Sequence, residues 1–467
     1  MADEDKLLGW KILPKENTYD CALAALSLDE QEFLQSLSAE FAEYAKSNDV
    51  SNYEDAKKCI ENLLEKMLEA QNIEVDEEQK KYLTDAAVSH IAGFAPLDKM
   101  LCDAQVEEIA VAGLGKPIRV YIRKKGWKNT NAVFCSNEHL VHTINKMARV
   151  LGRRITSQSP RINALLPAGH RIHASIPPLS EGELTIRLHA QNAWSVYDIM
   201  QAKTTNAHAL AFLWMAFQSD SSVLVAGNTA SGKTTLLNTL FSFVPANERI
   251  VLIEETPEIR LFHEHVVKMI CNEDLAVSMP ELVRDSLRMR PDRVIAGEIR
   301  SKQEVEAFVE TLLSGQARGS YATFHAQSAN EALRRLCNLG AQAHDVKSLD
   351  YVVVQRRLAR YDEKKKKQNE IRKMTGIYRV QKEISQDGQA YALPVFEYDE
   401  KEDELCKKEY FDTALLSVCS RLGISEKKGK EIYAKRVAFL KRLVGKDTRQ
   451  IEQKIQEFAY GGIDEGN

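Results

Sequence analysis

The sequence contains no apolar run that approaches the roughly 18–20 residues needed to cross a bilayer. Its first residues include Asp3, Glu4 and Asp5, where an export signal would have basic residues followed by an apolar segment. These absences predict a cytoplasmic protein without a transmembrane segment of its own. If it works at a membrane, we expect it to sit at the cytoplasmic face, bound to a partner embedded there.

Paired cysteines and a large net charge are also lacking. None of the eight cysteines forms a C-x-x-C pair, which excludes a zinc ribbon and a thioredoxin motif. Scattered thiols in a chain without an export signal predict reduced, buried side chains. The formal net charge is −4 over 467 residues, so a broad basic surface and direct binding of nucleic acid are not expected.

The length of the chain suggests about two to three domains, and the residue patterns divide it into four segments. Residues 1–95 are predicted to be helical, with capping-box pairs at Ser27 and Glu30 and at Ser51 and Glu54. Short β-type runs separated by glycines and one helix predict a smaller α+β domain over residues 96–195. Residues 351–467 are predicted to form an extension that is first β-rich and then helical.

Residues 196–350 alternate apolar strands with helices. That alternation predicts an α/β domain with a mostly parallel sheet covered by helices on both faces. The predicted fold class is therefore an α/β core preceded by an α+β domain and a helical region, and followed by a helical C-terminal region.

The strongest chemical signal is a complete G-x-x-x-x-G-K-[ST] motif between a predicted strand and a predicted helix. Its glycines allow backbone N–H groups to surround phosphate oxygens, and the positive end of the helix dipole faces the same anion. Lys233 adds a positive charge at the β- and γ-phosphates, and the Thr234 hydroxyl is a ligand for Mg²⁺. The predicted nucleotide-binding residues are Gly227, Asn228, Thr229, Ala230, Ser231, Gly232, Lys233, Thr234 and Thr235. The sequence thus predicts that ATP and Mg²⁺ bind here.

Three later segments place polar side chains at strand ends. Glu254 and Glu255 end one predicted strand, Glu298 ends the next, and His325 follows a third. Strand ends on one side of a parallel sheet open into the ligand crevice, so we expect these side chains to converge on the phosphate loop. A carboxylate there can activate water or hold a hydrated Mg²⁺, which Glu298 is expected to contact through water. The sequence does not separate the roles of Glu254 and Glu255.

The order of these motifs resembles the type II/IV secretion ATPases, which carry Walker A, Asp box, Walker B and His box in this order. The resemblance covers residues 95–345 and includes Leu166-Pro-Ala-Gly-His-Arg-Ile-His173 upstream. It implies a RecA-like P-loop core and an ATPase motor for a pilus, archaellum or secretion system. The flanking regions are similar to the archaeal branch. Glu254-Glu255 stands where the family commonly has Glu-Asp.

The resemblance further implies a homo-hexameric ring that acts on a polytopic membrane platform protein. Arginines of the α+β domain would then stabilise transition-state charge, and Arg171 and Arg187 are the candidates, with Arg153 and Arg161 behind them. Arg300 and Arg318 are further candidates for the phosphate side or an interface.

Two alternative functions stay open. One is a DNA-transfer or DNA-uptake motor, and the other is an ATP-binding regulator with little turnover.

Overall fold

The computed structural model describes residues 7–14, 18–23, 25–48, 50, 52–123, 125–188, 193–272, 275–362, 366–445 and 447–461. The acidic start of the chain, on which the expectation about export depends, lies outside these residues. The chain divides into two compact units, residues 1–191 and 192–467. The predicted helical region and nearly all of the predicted α+β domain therefore share the first unit, and the P-loop domain and the extension share the second.

The first unit contains a short first strand, three long helices and then a mixture of strands and shorter helices. The elements of this unit are β1 (Trp10–Ile12), α1 (Leu28–Ser47), α2 (Tyr53–Ala70), α3 (Glu77–Ile91), α4 (Asp98–Cys102), β2 (Val106–Val111), β3 (Pro117–Ile122), β4 (Gly126–Phe134), α5 (Asn137–Arg149), β5 (Arg161–Leu165), β6 (Arg171–Ser175) and β7 (Glu183–Arg187). Helix α1 starts at the predicted capping box of Ser27 and Glu30. The predicted start of α2 is wrong, because Asn52 caps this helix by accepting the Asp55 N–H, and Ser51 lies outside the described residues.

Seven strands of the first unit form one sheet in the order β1-β4-β3-β2-β7-β6-β5. Each neighbouring pair is antiparallel. Strand β1 comes from the segment predicted to be helical and pairs with β4 through Trp10 and Phe134. The N-terminal segment is thus tied to the α+β sheet by main-chain hydrogen bonds.

The second unit contains the P-loop segment. Its elements are α6 (Val196–Gln201), α7 (Ala207–Gln218), β8 (Val223–Gly227), α8 (Lys233–Leu240), β9 (Ile250–Glu254), β10 (Val266–Ile270), α9 (Met279–Ser286), β11 (Arg293–Ile299), α10 (Lys302–Leu313), β12 (Gly319–Phe324), α11 (Ala329–Asn338), α12 (Ala343–Val346), β13 (Tyr351–Asp362), β14 (Lys367–Val380), β15 (Ala392–Asp399), β16 (Glu404–Lys407), α13 (Phe411–Arg421), α14 (Glu426–Arg442) and α15 (Thr448–Tyr460).

Nine strands of this unit form a second sheet in the order β10-β9-β11-β12-β8-β13-β14-β15-β16. The pairs from β10 to β13 are parallel, and those from β13 to β16 are antiparallel. The predicted mostly parallel sheet is confirmed. The β-rich extension continues this sheet, because β13 pairs directly with the P-loop strand β8.

The core of the second unit covers both faces of the sheet. Along β8, Val223 and Val225 belong to one buried apolar cluster, whereas Leu224 and Ala226 belong to another. Alternating residues point to opposite faces of a strand, so β8 is buried on both sides. Helix α7 covers one face and contributes ten buried residues, including Trp214. This packing fixes the end of β8, from which the phosphate loop begins.

A buried ion cluster lies at the amino-terminal edge of this sheet. Arg293 is fully buried and donates to Glu248 at 2.5 Å, to Asp220 at 2.8 Å and to the Tyr321 hydroxyl at 2.9 Å. Arg318 pairs with the same two carboxylates, at 3.2 Å to Asp220 and 3.0 Å to Glu248. The phosphate loop follows the carboxyl end of parallel strand β8, so Arg318, which precedes β12, lies at the opposite edge. The expectation that Arg318 lies on the phosphate side is therefore wrong.

The eight cysteines are all reduced thiols, as predicted, but most are not buried. Cys21 and Cys419 are buried, five others are partly exposed, and Cys102 is exposed. The prediction of buried thiols is thus wrong for most of them; Cys102, for example, ends the short helix α4. No helix in the described part of the chain combines the length and the apolar composition that crossing a membrane requires.

Candidate active site

The phosphate loop connects β8 to α8. Gly232 is the N-cap of α8 and has φ +90°, and no side chain caps this helix start. Ala230 also has a positive φ, of 58°, which is uncommon for a residue with a Cβ. An uncapped helix start with a left-handed residue before it leaves N–H groups available for an anion. The local backbone thus fits the phosphate-binding role predicted from the motif.

Lys233 is buried at the start of α8, with only 7% of its side chain exposed. Its ammonium lies 3.6 Å from Glu298 Oε1 and donates to the Asn228 carbonyl at 3.4 Å. Burial lowers the pKa of Lys233, while the charge of Glu298 opposes this shift. The lysine is therefore held at the loop by long contacts that a phosphate group can replace.

A β-bulge places Glu298 at the sheet edge. Between β11 and β12 the pairs are Ala296 with Ala322 and then Ile299 with Phe324, so β11 contains one extra residue. The Thr323 hydroxyl fixes the bulge by donating to the Gly297 carbonyl at 2.7 Å. Bulges redirect side chains in this way next to active sites.

The Glu298 carboxylate lies between two cationic side chains, those of Lys233 and Arg300, and the His325 imidazole. Arg300 Nε donates to it at 2.8 Å, and His325 Nε2 lies 2.9 Å from its Oε1. Burial raises the pKa of Glu298, but the hydrogen bond from Arg300 and the charges of Arg300 and Lys233 outweigh burial, so the net shift is downward. Glu298 is therefore ionised at neutral pH, as a ligand of a hydrated metal ion must be.

The two carboxylates that end β9 differ sharply in environment. Glu254 is 5% exposed and accepts the backbone N–H groups of Glu258 and Ile259 at 2.9 and 3.0 Å. Burial raises the pKa of Glu254 to about 7. Glu255 is 39% exposed and forms an ion pair with Arg300 at 2.6 Å. With this pKa, Glu254 can take up a proton near neutral pH.

Glycine at position 297 allows the backbone of β11 to lie close to the Glu254 side chain of the neighbouring strand β9. A Cβ at Gly297 would lie 2.9 Å from Glu254 Cγ and 3.3 Å from the Ile253 carbonyl oxygen. No side chain fits there unless Glu254 moves. The Gly-Glu sequence at the end of β11 therefore has a packing reason as well as a chemical one.

His325 follows β12, which lies between β11 and β8 in the sheet. Burial and the charge of Lys233 lower the pKa of His325, while Glu298 opposes the shift. The imidazole is therefore neutral at pH 7 and has one N–H to donate. The structure thus brings together Lys233, Glu298 and His325, as expected from the strand ends.

The candidate arginine fingers lie in the first unit. Arg171 begins β6, Arg187 ends β7, and the two are directly opposite each other in the sheet. Both are exposed. Arg153 donates to the Asn163 carbonyl at 2.6 Å, and Arg161 lies at the other end of the hairpin formed by β5 and β6. Arg171 and Arg187 thus form one basic pair on an exposed edge, and their action on a nucleotide stays a prediction.

The residues fit the groups that the motif implies. ATP would place its phosphates against the loop and Lys233, and Mg²⁺ prefers oxygen ligands such as the Thr234 hydroxyl and the Glu298 carboxylate, completed by phosphates and water. The Ser231 hydroxyl is buried and has no hydrogen-bond partner among the described residues. An unpaired buried hydroxyl in a phosphate loop fits a site that a ligand completes.

Sequence reasoning missed two side chains that contact the loop. Gln355 on β13 donates to the Ser231 carbonyl, and Arg372 on β14 donates to the Ala230 carbonyl. Their separation from the loop, by 124 and 142 residues, leaves no local pattern that links them to it. These residues reach the loop because β13 pairs with β8, so only a prediction of that strand pairing could have identified them.

Comparison with known proteins finds the family that the order of motifs resembles. The profile of a family described as "Type II/IV secretion system protein" matches residues 90–462. "Uncharacterized protein MJ0781" of Methanocaldococcus jannaschii is 38% identical over 220 residues, which is 44% of this chain and 30% of that protein, so the chain spans less than a third of this relative. "Type IV secretion system protein PtlH" of Bordetella pertussis is 32% identical over 275 residues, which is 52% of this chain and 80% of PtlH.

Among solved structures, the ATPase DotB of Legionella pneumophila is similar over 79% of this chain and 93% of its own, with 17% identity and a TM-score of 0.42. Since that score and identity are low, the family assignment rests on the sequence match over residues 90–462.

Proposed function

The chain belongs to the type II/IV secretion system protein family, and from this premise we propose that it is an Mg²⁺-dependent ATPase that powers a secretion, pilus or archaellum machine. The observation that carries the proposal is the convergence of Lys233, Glu298 and His325 beside an uncapped helix start. Relatives named as type IV secretion system proteins support the choice of machine.

In the proposed reaction, the loop amides and Lys233 bind the β- and γ-phosphates of ATP. Mg²⁺, held by Thr234 and through water by Glu298, would neutralise charge on the phosphate oxygens. Glu254 accepts a proton from the attacking water, whose oxygen forms the new bond to the γ-phosphorus. The bond to the β–γ bridging oxygen breaks, and the products are ADP and phosphate.

His325 donates a hydrogen bond to the γ-phosphate in this proposal. In the structure its Nε2 lies 2.9 Å from Glu298 instead, so His325 and Lys233 both exchange a carboxylate partner for a phosphate partner when ATP binds. The exchange gives the site a direct way to report whether the γ-phosphate is present.

The machine itself is proposed to be a homo-hexameric ring at the cytoplasmic face of a membrane. Arg171 and Arg187 of one subunit would approach the phosphates at a subunit interface, where an arginine typically contributes about 10³–10⁵ in rate. Domain motion in each cycle would then move a polytopic membrane platform protein. Mass measurement in solution, with and without MgATP, tests the ring.

The test of the ATPase assignment compares purified wild-type protein with Lys233→Ala and Glu298→Gln. We expect Lys233→Ala to lose ATP binding and turnover, and Glu298→Gln to bind ATP but hydrolyse it slowly. Lys146→Ala is the control, because Lys146 is a partly buried lysine of the other unit that donates to the carbonyls of Ile91 and Gly93. If Lys233→Ala hydrolyses ATP at the wild-type rate, the assignment of the site is wrong.

A further inference from the structure

The hairpin of β13 and β14 runs directly beside the phosphate loop. Strand β13 pairs with β8 up to the last residue of that strand, where Gln355 lies opposite Gly227. A Cβ at Gly227 would lie 2.0 Å from the Gln355 carbonyl oxygen, so only glycine allows the two backbones to approach this closely. The start of the phosphate loop is thus in contact with a segment more than 120 residues away in sequence.

Asn228 extends this strand pairing by one residue. Its side-chain carbonyl accepts the Arg357 N–H at 2.9 Å, and its side-chain amide donates to the Arg357 carbonyl at 3.1 Å. The two hydrogen bonds reproduce what another main-chain pair would make. The first turn of the loop is therefore fixed to the hairpin backbone.

Two side chains of the hairpin hold the middle of the loop. Gln355 is 2% exposed, and its amide donates to the Ser231 carbonyl at 3.1 Å. Arg372 Nε donates to the Ala230 carbonyl at 3.0 Å. These two carbonyls belong to consecutive peptide groups of the loop.

The direction of a carbonyl determines the direction of the next N–H. In a planar trans peptide the C=O of one residue and the N–H of the following residue point in opposite directions. A Ser231 carbonyl held by Gln355 therefore turns the Gly232 N–H away from the hairpin. In the same way Arg372 turns the Ser231 N–H into the loop, where it donates to the Asn228 carbonyl at 3.3 Å.

We propose that Gln355 and Arg372 are positioning residues that hold the loop carbonyls outward, so that the Gly232 amide faces the phosphates before ATP arrives while the Ser231 amide stays bonded to the Asn228 carbonyl and fixes the turn of the loop. The inference rests on the proposed ATPase function and adds a role for the strands that follow the four sequence motifs. Backbone strain supports it: Ala230 is in the left-handed region, with φ 58°, and needs contacts that keep it there. The Arg372 bond to its carbonyl is such a contact.

The test uses Gln355→Met and Arg372→Met in the full chain, because methionine is about as long as glutamine, reaches as far as the arginine Nε, and removes the donor. Gln456→Met is the matched control for Gln355, since Gln456 is 3% exposed and donates to the Ser242 and Val244 carbonyls. Arg379→Met is the control for Arg372, since Arg379 is also on β14 and donates to the Thr413 carbonyl at 3.4 Å.

The readouts are the Kd for MgATP, KM, kcat and the melting temperature. We expect Gln355→Met and Arg372→Met each to weaken MgATP binding about tenfold, the effect of one lost hydrogen bond, and the double variant to weaken it more. KM should rise more than kcat falls, because chemistry follows once the phosphates are bound. Gln456→Met should lower the melting temperature as much as Gln355→Met does and leave the Kd within twofold of wild type.

Arg372→Lys separates charge from geometry. A lysine keeps the positive charge near the phosphates but has no Nε donor at this position, so we expect it to bind MgATP as weakly as Arg372→Met. If it restores wild-type affinity, Arg372 acts by charge alone and its positioning role is wrong. If both methionine variants bind MgATP with wild-type affinity, the whole inference is wrong, although the proposed function stands. If wild-type protein binds no MgATP, the proposed function fails and this inference fails with it.

Discussion

Replacement of Glu254 by glutamine gives the sharpest test of the site, because it should make the protein less active and more stable at the same time. The buried carboxyl has a pKa of about 7 against an ordinary value of 4.5. One unit of pKa corresponds to about 1.4 kcal/mol, so ionised Glu254 destabilises the fold by roughly 3 kcal/mol as an upper limit. Glutamine keeps an oxygen that can accept the N–H groups of Glu258 and Ile259.

The sign of the pH dependence follows from the raised pKa. Below pH 4.5 the folded and unfolded chains both keep the proton of Glu254. Between this value and about 7 the unfolded chain releases the proton while the folded chain retains it, so stability falls as the pH rises. Above about 7 the whole penalty is present, and only there should Glu254→Gln unfold at a clearly higher temperature than wild type.

The assay is thermal unfolding of wild type, Glu254→Gln and Glu255→Gln without nucleotide, at about pH 5 and about pH 8. Glu255→Gln is the matched control, because Glu255 is 39% exposed and paired with Arg300, so its removal should give no gain at either pH. In parallel, kcat/KM of wild type should rise with pH and level off above about 7, and Glu254→Gln should lose about 10²–10⁴ in rate. Equal melting temperatures of wild type and Glu254→Gln at the higher pH would refute the reasoning.

Three further predictions concern the edges of the same sheet. Gly297→Ala should displace Glu254 and so lower kcat about tenfold or more, with little change in the Kd for MgATP. A Kd that rises as much as kcat falls would contradict this prediction. Arg300→Met should raise the pKa of Glu298, because burial is then less opposed; NMR titration of the Glu298 carboxyl group measures this pKa, and an unchanged pKa would refute the role of Arg300 in lowering it. Arg293→Met removes the fully buried member of the ion cluster and leaves the buried Glu248 carboxylate with Arg318 as its arginine partner, so it should cost about 3–5 kcal/mol of unfolding free energy. Arg318→Met, with half its side chain exposed, should cost about 1 kcal/mol or less. Chemical unfolding measures both, and equal costs would refute the difference.

The sequence predicted the parts of the site that follow strand ends. A short apolar strand followed by Gly227, Glu254, Glu298 or His325 is a local pattern, and parallel strands bring such ends to one edge of a sheet. The mostly parallel sheet was predictable for the same reason. Local capping signals also located α1 correctly, although at α2 the neighbouring Asn52 replaced the expected serine.

The parts that could not be predicted depend on contacts between distant segments. Gln355 and Arg372 reach the phosphate loop only because β13 pairs with β8, and no local periodicity encodes that pairing. The contrast between Glu254 and Glu255 depends on burial, which a Glu-Glu sequence does not reveal. Arg318 was a candidate for the phosphate side or an interface, and its place in the sheet excludes the phosphate side, because it precedes β12 whereas His325 follows that strand.

The buried arginine cluster at the amino-terminal edge has a consequence for how the protein can vary. Arg293, on β11, links four strands, because Tyr321 lies on β12, Glu248 precedes β9 and Asp220 precedes β8. None of these four side chains has a role in the proposed ATP hydrolysis. Residues at the carboxyl-terminal edge of the sheet, beside the phosphate loop, can therefore be substituted to change the rate of ATP hydrolysis without unfolding the domain. We expect mutations that abolish folding to be more frequent around Arg293. A random mutagenesis screen that measures expression and ATP hydrolysis separately tests this. Variants that lose expression should map to the amino-terminal edge of the sheet, and variants that lose only hydrolysis should map to the carboxyl-terminal edge.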